Sequence, residues 1–259
     1  MKISLLQLPI TIGDRATNQK NLQQELEQAM AEKPDLILLP ELWDIGFFPR
    51  PLDQYTDPEG QNARSLLSKL ARQYQINIIG GSIAEATADG IKNTCYVFDR
   101  QGKQTAVYSK SHLFSPAKED KIFTPGNGLA VFTLDEIRCG IAICYDLRFP
   151  ELFRKLALAD IDLLLLPAEW PTVRLDHWRC LTQARAIENQ LYLAACNGSG
   201  SFANGMPLAG HSVVIDPWGR RLAEADDQPG IITADINLLE KEKIRSTINV
   251  FSDRRPELY

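Results

Sequence analysis

Three residues that could act together on an amide stand at the ends of three apolar runs. Cys144 closes the run Ile137 to Ile143, Glu41 follows Asp35 to Leu39, and Lys110 follows Gln104 to Tyr108. In α/β sheets the carboxyl ends of the strands converge on the binding crevice, so a thiol, an acid and an amine are expected to meet there. A free thiol has a pKa of about 8.5 and is only slightly ionised at neutral pH. A carboxylate beside it can take its proton as a general base and return it to a leaving amine. An ammonium group favours the thiolate and can hold the oxyanion of a tetrahedral intermediate, together with the backbone N–H of Tyr145. The chemistry would be acyl transfer from a C–N bond through a thioester, with ammonia or an amine released and water as final acceptor.

Other readings of the same residues stand beside this one. Pro-Glu after a strand is usually a solvated turn, a lone Lys before Ser-His is usually surface, and a Cys closing an apolar strand is more often core. A papain-like Cys–His hydrolase needs one of His112, His177 or His211 near Cys144. A catalytically silent binding protein on a hydrolase fold is a second rival. A redox-sensing thiol, its thiolate held by Lys110, is a third.

The elements that must position these residues alternate between strand and helix patterns. Strands are expected at Lys2 to Leu8, Asp35 to Leu39, Ile76 to Ile83 with a break at Gly80-Gly81, Asn93 to Asp99, Gln104 to Lys110, Phe132 to Leu134 and Ile137 to Cys144. Further strands are expected at Asp162 to Leu166, Leu191 to Cys196, His211 to Asp216 and Ile231 to Ile236. Helices are expected over Ala16 to Lys33, Ala63 to Tyr74, Pro150 to Ala159, Leu175 to Asn189 and Asn237 to Arg245, with residues 44–60 as a loop. Leu22, Leu26, Ala29 and Met30 lie on one face at three- and four-residue spacing, and Pro150 sits in a first turn, where proline is tolerated. The chain reads as one layered α/β domain over 1–259, with a polar tail of about 246–259 used for packing or oligomer contacts. Leu38-Leu39-Pro40-Glu41-Leu42-Trp43 echoes Leu165-Leu166-Pro167-Ala168-Glu169-Trp170, which hints at two related halves meeting around one site.

Composition narrows the partners. Of 259 residues, 44% are hydrophobic and 24% charged, as suits a soluble globular protein. The net charge is −5, with Lys and Arg scattered, which argues against nucleic acid or an anionic membrane as partner. The five cysteines include no Cys-x-x-Cys pair, which is free-thiol usage in a reducing compartment. The three histidines have no paired spacing, so a metal site is not expected. Gln7 and Pro9 interrupt the apolar N-terminus, which therefore reads as a first strand of a cytoplasmic protein rather than a signal peptide.

Leu-Pro-Glu-Leu-Trp at 39–43, Tyr-Ser-Lys-Ser-His-Leu-Phe at 108–114 and Ile-Cys-Tyr-Asp-Leu-Arg-Phe-Pro-Glu-Leu at 143–152 resemble, in this order, the three catalytic blocks of the nitrilase (carbon–nitrogen hydrolase) superfamily. The likeness runs nearly the whole chain, through Gln-Ala-Arg-Ala-Ile-Glu-Asn-Gln at 183–190, Ala-Gly-His-Ser at 209–212, Asp-Pro-Trp-Gly at 216–219 and the tail. It implies a four-layer α-β-β-α sandwich, no cofactor, assembly as a homodimer or larger homo-oligomer, and a triad of Glu41 as base, Lys110 as stabiliser and Cys144 as nucleophile. Glu119 matches a second active-site glutamate of the family and would hold Lys110 or orient the substrate. Within the superfamily the chain resembles the ω-amidase branch, carried by 167–171, 174–178 and 216–219, which implies hydrolysis of the terminal amide of 2-oxoglutaramate or 2-oxosuccinamate. Deaminated glutathione amidases, N-carbamoyl or ureido amidohydrolases and nitrilases share much of the frame. A substrate carboxylate suits a bidentate arginine, with Arg148 and Arg174 as candidates. Trp170 and Phe114 would wall the pocket, and His112 and His177 would support it, although simple packing and satisfied histidines account for these equally well.

Overall fold

Runs of Leu, Ile and Val without polar alternation belong to strands covered on both faces. In the computed structural model, which describes residues 1–47 and 49–258, such runs form the centres of two sheets. Gly230–Asp235, Lys2–Gln7, Leu36–Leu38, Asn77–Ile79, Gly90–Phe98, Ile83–Thr87 and Asp57–Pro58 neighbour one another in the first sheet. Gln104–Ser109 also pairs with Gly90–Phe98. The second sheet runs Arg221–Glu224, Val213–Ile215, Tyr192–Asn197, Leu163–Ala168, Ile137–Ile141 and Ala130–Leu134. Leu163–Ala168 is parallel to both its neighbours.

Strand alternation decides which residues lie between the sheets. Ile3, Leu5, Leu36, Leu38 and Val97 of the first sheet share one core with Cys139, Ile141, Leu163, Leu165 and Leu193 of the second. The opposite face of the first sheet, with Leu6, Ile37 and Ile78, packs on two helices. These are α1 (Arg15–Ala29), through Leu22 and Leu26, and α2 (Gln61–Tyr74), through Ala63 and Leu67. The outer face of the second sheet is covered by α3 (Pro150–Leu158) and α4 (Leu175–Asn189). At Gly140 a Cβ would stand 2.9 Å from Ile161 and 3.2 Å from Leu156, so that strand lies close to its helical layer. The layers are therefore α-β-β-α, as expected.

Several boundaries differ from the sequence reading, each for a local reason. The helix read to Lys33 stops at Ala29 and tightens into a 3-10 turn at Met30–Glu32, ended by Lys33 in the left-handed region. Ile76 to Ile83 is two strands, because Gly80 and Gly81 separate them. Gly81 has φ +60°, and a Cβ there would lie 2.0 Å from the Pro40 carbonyl oxygen, so the crowding requires glycine. Residues 44–60 contain a 3-10 turn, Leu52–Tyr55, and the short strand Asp57–Pro58. Arg221–Glu224, charged and partly exposed, is an edge strand with no apolar run to mark it. The strand read to Cys144 ends at Ile141, because Cys144 already turns the chain with φ +44°. The last helix, α5 (Leu238–Thr247), leads into the tail. There the Ile248 carbonyl accepts from Gln190, and the Phe251 ring packs under Arg154 and Arg245.

Candidate active site

The two sheets face each other, so strand ends from different sheets meet at one place. Leu36–Leu38 and Gln104–Ser109 of the first sheet deliver Glu41 and Lys110. Ile137–Ile141 and Leu163–Ala168 of the second deliver Cys144 and Glu169. Lys110 and Glu41 are fully enclosed, with Nζ 2.8 Å from Glu41 Oε1. Nζ also lies 3.0 and 2.9 Å from the two Glu119 oxygens. Glu119 is fixed in turn by the Phe114 N–H, which donates to Oε2 at 2.6 Å. Asn93 donates to Glu41 at 2.8 Å and to Glu119 at 3.3 Å. The other Glu41 oxygen accepts the Glu169 backbone N–H at 2.9 Å, and the Glu41 N–H donates to Ala168 at 3.3 Å. The acid is thereby clamped between the sheets.

Cys144 opens a 3-10 turn, Cys144–Arg148, in a backbone region that non-glycine residues seldom adopt. Asp146 holds the turn. It accepts from the Ile143 N–H at 2.9 Å, from Tyr108 Oη at 2.8 Å and from the His112 N–H at 2.9 Å. One buried carboxylate thus ties the thiol's turn to the segment carrying Lys110. The first N–H groups of such a turn have no acceptor within it, so those at Cys144 and Tyr145 are available to a developing oxyanion.

The electrostatics differ from the simplest expectation. Lys110 has two carboxylates to itself: their charges, Glu119 then Glu41, outweigh the burial that alone would lower its pKa, and hold it well above the usual lysine range. Its charge still acts on the thiol, but it is shared with two carboxylates. Burial first, then the Glu41 charge, push Cys144 well above the usual thiol range, with Lys110 opposing. These influences favour the protonated thiol beside the Glu41 carboxylate, with Sγ 3.8 Å from the Glu169 carbonyl oxygen, which suits base-assisted attack. They do not suit the stored thiolate that a redox sensor needs. No histidine acts on Cys144. His112 is bound to Asp146 at 2.7 Å and stacked on Phe149 at 3.7 Å. His211 lies against Glu224 and Arg179. Among the described residues no cluster of three or more His, Cys, Asp or Glu could hold a metal ion.

A cavity of about 660 Å³ opens onto Cys144 and Lys110. Four of the expected substrate contacts line it: Phe114, Arg148, Trp170 and Arg174. Arg148 lies over the Trp170 ring at 4.7 Å and Arg174 over the Phe114 ring at 5.1 Å, so each guanidinium is held flat against an aromatic wall. Burial, then the nearby Arg174 charge, lower the Arg148 pKa, which means this part of the cavity would favour an anion. His177 is exposed and is not part of the lining; it reaches the site only through Arg148, 3.2 Å from its Nδ1. Three lining or supporting residues escape the sequence reading. Asn93 lies within a strand and carries no motif. Arg50 belongs to a loop. Glu169 is visible only as part of the echo at 165–170, whose meaning depends on the two sheets meeting.

An α-β-β-α sandwich with a thiol, a carboxylate and an ammonium at one cavity defines a class of cysteine-dependent hydrolases. The model of the carbon–nitrogen hydrolase family matches residues 2–246. The chain is 41% identical over 257 residues to the 2-oxoglutaramate amidase of Bacillus subtilis (strain 168), covering 99% of this chain and 98% of that one. It is 32% identical over 266 residues to the omega-amidase NIT2 of Homo sapiens, covering 100% and 96%. Among solved structures it superposes with TM-score 0.89 on an amidase from Nesterenkonia sp. AN1, 28% identical, over 100% of this chain and 98% of that one. That structure is of an E41Q mutant of the amidase and shows acrylamide added at its active-site cysteine. This chain belongs to the carbon–nitrogen hydrolase family, within the nitrilase superfamily, and is an amidase of that family.

Proposed function

We propose that this amidase hydrolyses the terminal amide of a short carboxylic acid, of the 2-oxoglutaramate or 2-oxosuccinamate type, with Glu41, Lys110 and Cys144 as its triad. The observation that carries this reading is one cavity holding both ends of such a substrate's chemistry. Its floor has the neutral thiol against Glu41 and Lys110, and its wall has Arg148 and Arg174. The relatives named 2-oxoglutaramate amidase and omega-amidase support the substrate class.

In this mechanism Glu41 takes the Cys144 proton as sulfur attacks the amide carbon. The oxyanion forms against Lys110 Nζ and the Tyr145 N–H. Glu41 returns the proton to the amide nitrogen, the C–N bond breaks, and ammonia leaves a thioester. Water then gives its proton to Glu41 and attacks the same carbon. Collapse returns the proton to sulfur and releases the second carboxylate. Glu119 holds Lys110 between the two acids throughout. Arg148 or Arg174 takes the far carboxylate, and Phe114 and Trp170 keep these guanidinium groups flat. His177 steadies Arg148.

The protein works on this reading as a single domain over 1–259, in the cytoplasm, as a homodimer or larger homo-oligomer. Five free cysteines and exposed apolar side chains such as Val173, Trp218 and Leu239 support those assignments. Ammonia release from 2-oxoglutaramate, 2-oxosuccinamate, glutamine, deaminated glutathione, an N-carbamoyl amine and a simple nitrile tests the substrate class. The two oxo-acid amides are expected to give the highest kcat/KM. A clear preference for the N-carbamoyl amine or the nitrile would sink it.

A further inference from the structure

The structure leaves one buried acid beside the nucleophile that the mechanism above does not use. Glu169 follows the strand Leu163–Ala168 and is only 2% exposed. Its backbone is fixed on both sides: its N–H donates to Glu41 at 2.9 Å, and the next N–H, of Trp170, donates to Asn197 Oδ1 at 2.7 Å. Its side chain is not fixed in the same way. Both carboxyl oxygens are enclosed and have no hydrogen-bond partner among the described residues. A buried polar group without a partner is costly, and native proteins rarely keep one unless a ligand or water completes it.

We propose that Glu169 is a substrate-binding residue whose carboxyl receives the N–H of the scissile amide. The inference rests on the amidase reading of the same cavity, which Glu169 lines together with Cys144 and Lys110. The oxyanion side of the reacting carbon faces Lys110 and the Tyr145 N–H, so the nitrogen must lie on the other side, within reach of the Glu41 carboxylate that protonates it. Residue 169 occupies that side. Its N–H is bonded to Glu41 and its carbonyl oxygen is 3.8 Å from Cys144 Sγ.

The surrounding charges fix the form in which Glu169 acts. Glu41 and Glu119 share Lys110, and the neighbouring Asp44 is paired with Arg15 at 2.9 Å. Among the described residues no cation forms an ion pair with the Glu169 carboxyl. Burial, then the Glu41 charge, push Glu169 well above the usual carboxylate range. An un-ionised carboxyl has a carbonyl oxygen to accept the amide N–H and adds no charge that would oppose Glu41. Glutamine keeps the same acceptor and the same neutrality; leucine keeps the volume and removes both.

The test compares 2-oxoglutaramate with the ω-methyl ester of 2-oxoglutarate, which offers the same acyl group without an N–H. In E169L, kcat/KM for the amide is expected to fall about 10–100-fold, as for a site built to hydrogen-bond a group left unpaired, with the ester changed less than about threefold. E169Q should keep the amide within about threefold of wild type. Thermal melting and methyl methanethiosulfonate labelling of Cys144 check that each variant is folded with its thiol in place. A wild-type protein inert toward the amide overturns both readings. Wild-type turnover with an E169L enzyme that loses amide and ester equally, or neither, overturns this one alone, as does an E169Q enzyme as impaired as E169L.

Discussion

The segments 38–44 and 165–171 begin alike, with Leu-Leu-Pro at a strand end, and both contain an acid and a Trp. They differ by one position: Glu41 stands two residues before Trp43, Glu169 one residue before Trp170. That offset sends the two acids into different company. Glu41 meets Lys110, Asn93 and the Glu169 N–H, so every oxygen is partnered. Glu169 meets no donor among the described residues, and burial, then the Glu41 charge, push its pKa up. The tryptophans diverge in parallel. Trp43 is sealed in the scaffold with its indole N–H on Gly80, whereas Trp170 lines the cavity and carries Arg148. Similar local sequence therefore yields a fully partnered acid on one side and a cavity-lining wall on the other. The partners supplied by the opposite sheet make the difference.

The sharpest way to break this comparison is to neutralise each acid without changing its shape. Glu41→Gln removes the proposed general base and should lower kcat by about 10²–10⁴-fold, the usual contribution of general acid–base catalysis. Glu169→Gln leaves an acid that was already neutral in the same state and should leave kcat close to wild type. Steady-state ammonia release by the two variants at one pH decides it. Equal losses would mean that the two carboxyls do the same work and that the one-residue offset is without consequence.

What the sequence made legible follows from where each group's partners lie. Glu41, Lys110 and Cys144 each end an apolar strand, and strand ends can be read from a single chain. Glu119 and the arginines came only with the family resemblance. Asn93 could not be found, since an Asn inside Gly90–Phe98 looks like any polar residue on a strand until Glu41 and Glu119 stand on either side of it. A lysine near a thiol favours the thiolate, and Lys110 does pull the Cys144 pKa down, but burial and the Glu41 charge outweigh it, and only the folded arrangement displays that balance. The turn at Cys144 was likewise hidden: its left-handed backbone is imposed by Asp146, Tyr108 and the His112 segment, which are distant in sequence.

The ammonium that separates the two acids offers the next test, on stability. Lys110→Met leaves Glu41 and Glu119 enclosed with no counter-ion, and breaking a buried ion pair in this way costs about 3–5 kcal/mol. Removing the Glu169 carboxyl takes away a buried group that has no hydrogen-bond partner among the described residues, so Glu169→Leu should unfold at the same urea concentration as wild type or a higher one. The pH dependence follows from the raised Lys110 pKa. A folded-state pKa above the unfolded one gives stability that is complete below the ordinary lysine value of 10.5 and declines as pH rises above it. The gap between wild type and K110M in urea midpoint should therefore be steady through neutral pH and narrow above about 10.5. A gap that widens with alkalinity would contradict the pairing.

The smallest effect lies at the position after each tryptophan, Asp44 in one segment and Pro171 in the other. Asp44 is 3% exposed, and burial pushes its pKa from 3.8 up to about 6, although the charge and hydrogen bond of Arg15 pull it down. A carboxyl whose folded pKa is raised binds more protons folded than unfolded between those two values. Stability must then fall as pH rises from about 4 to about 6 and level off above, by an amount of the order of 2 kcal/mol. Asp44→Asn has no proton to lose, so its unfolding free energy should be flatter across that window. Its absolute stability above pH 6 also reflects the lost Arg15 ion pair, which makes the slope, rather than the level, the informative quantity. Urea denaturation of both proteins at pH 4, 5, 6 and 7 measures it. A D44N slope equal to that of wild type would assign the titration to another group.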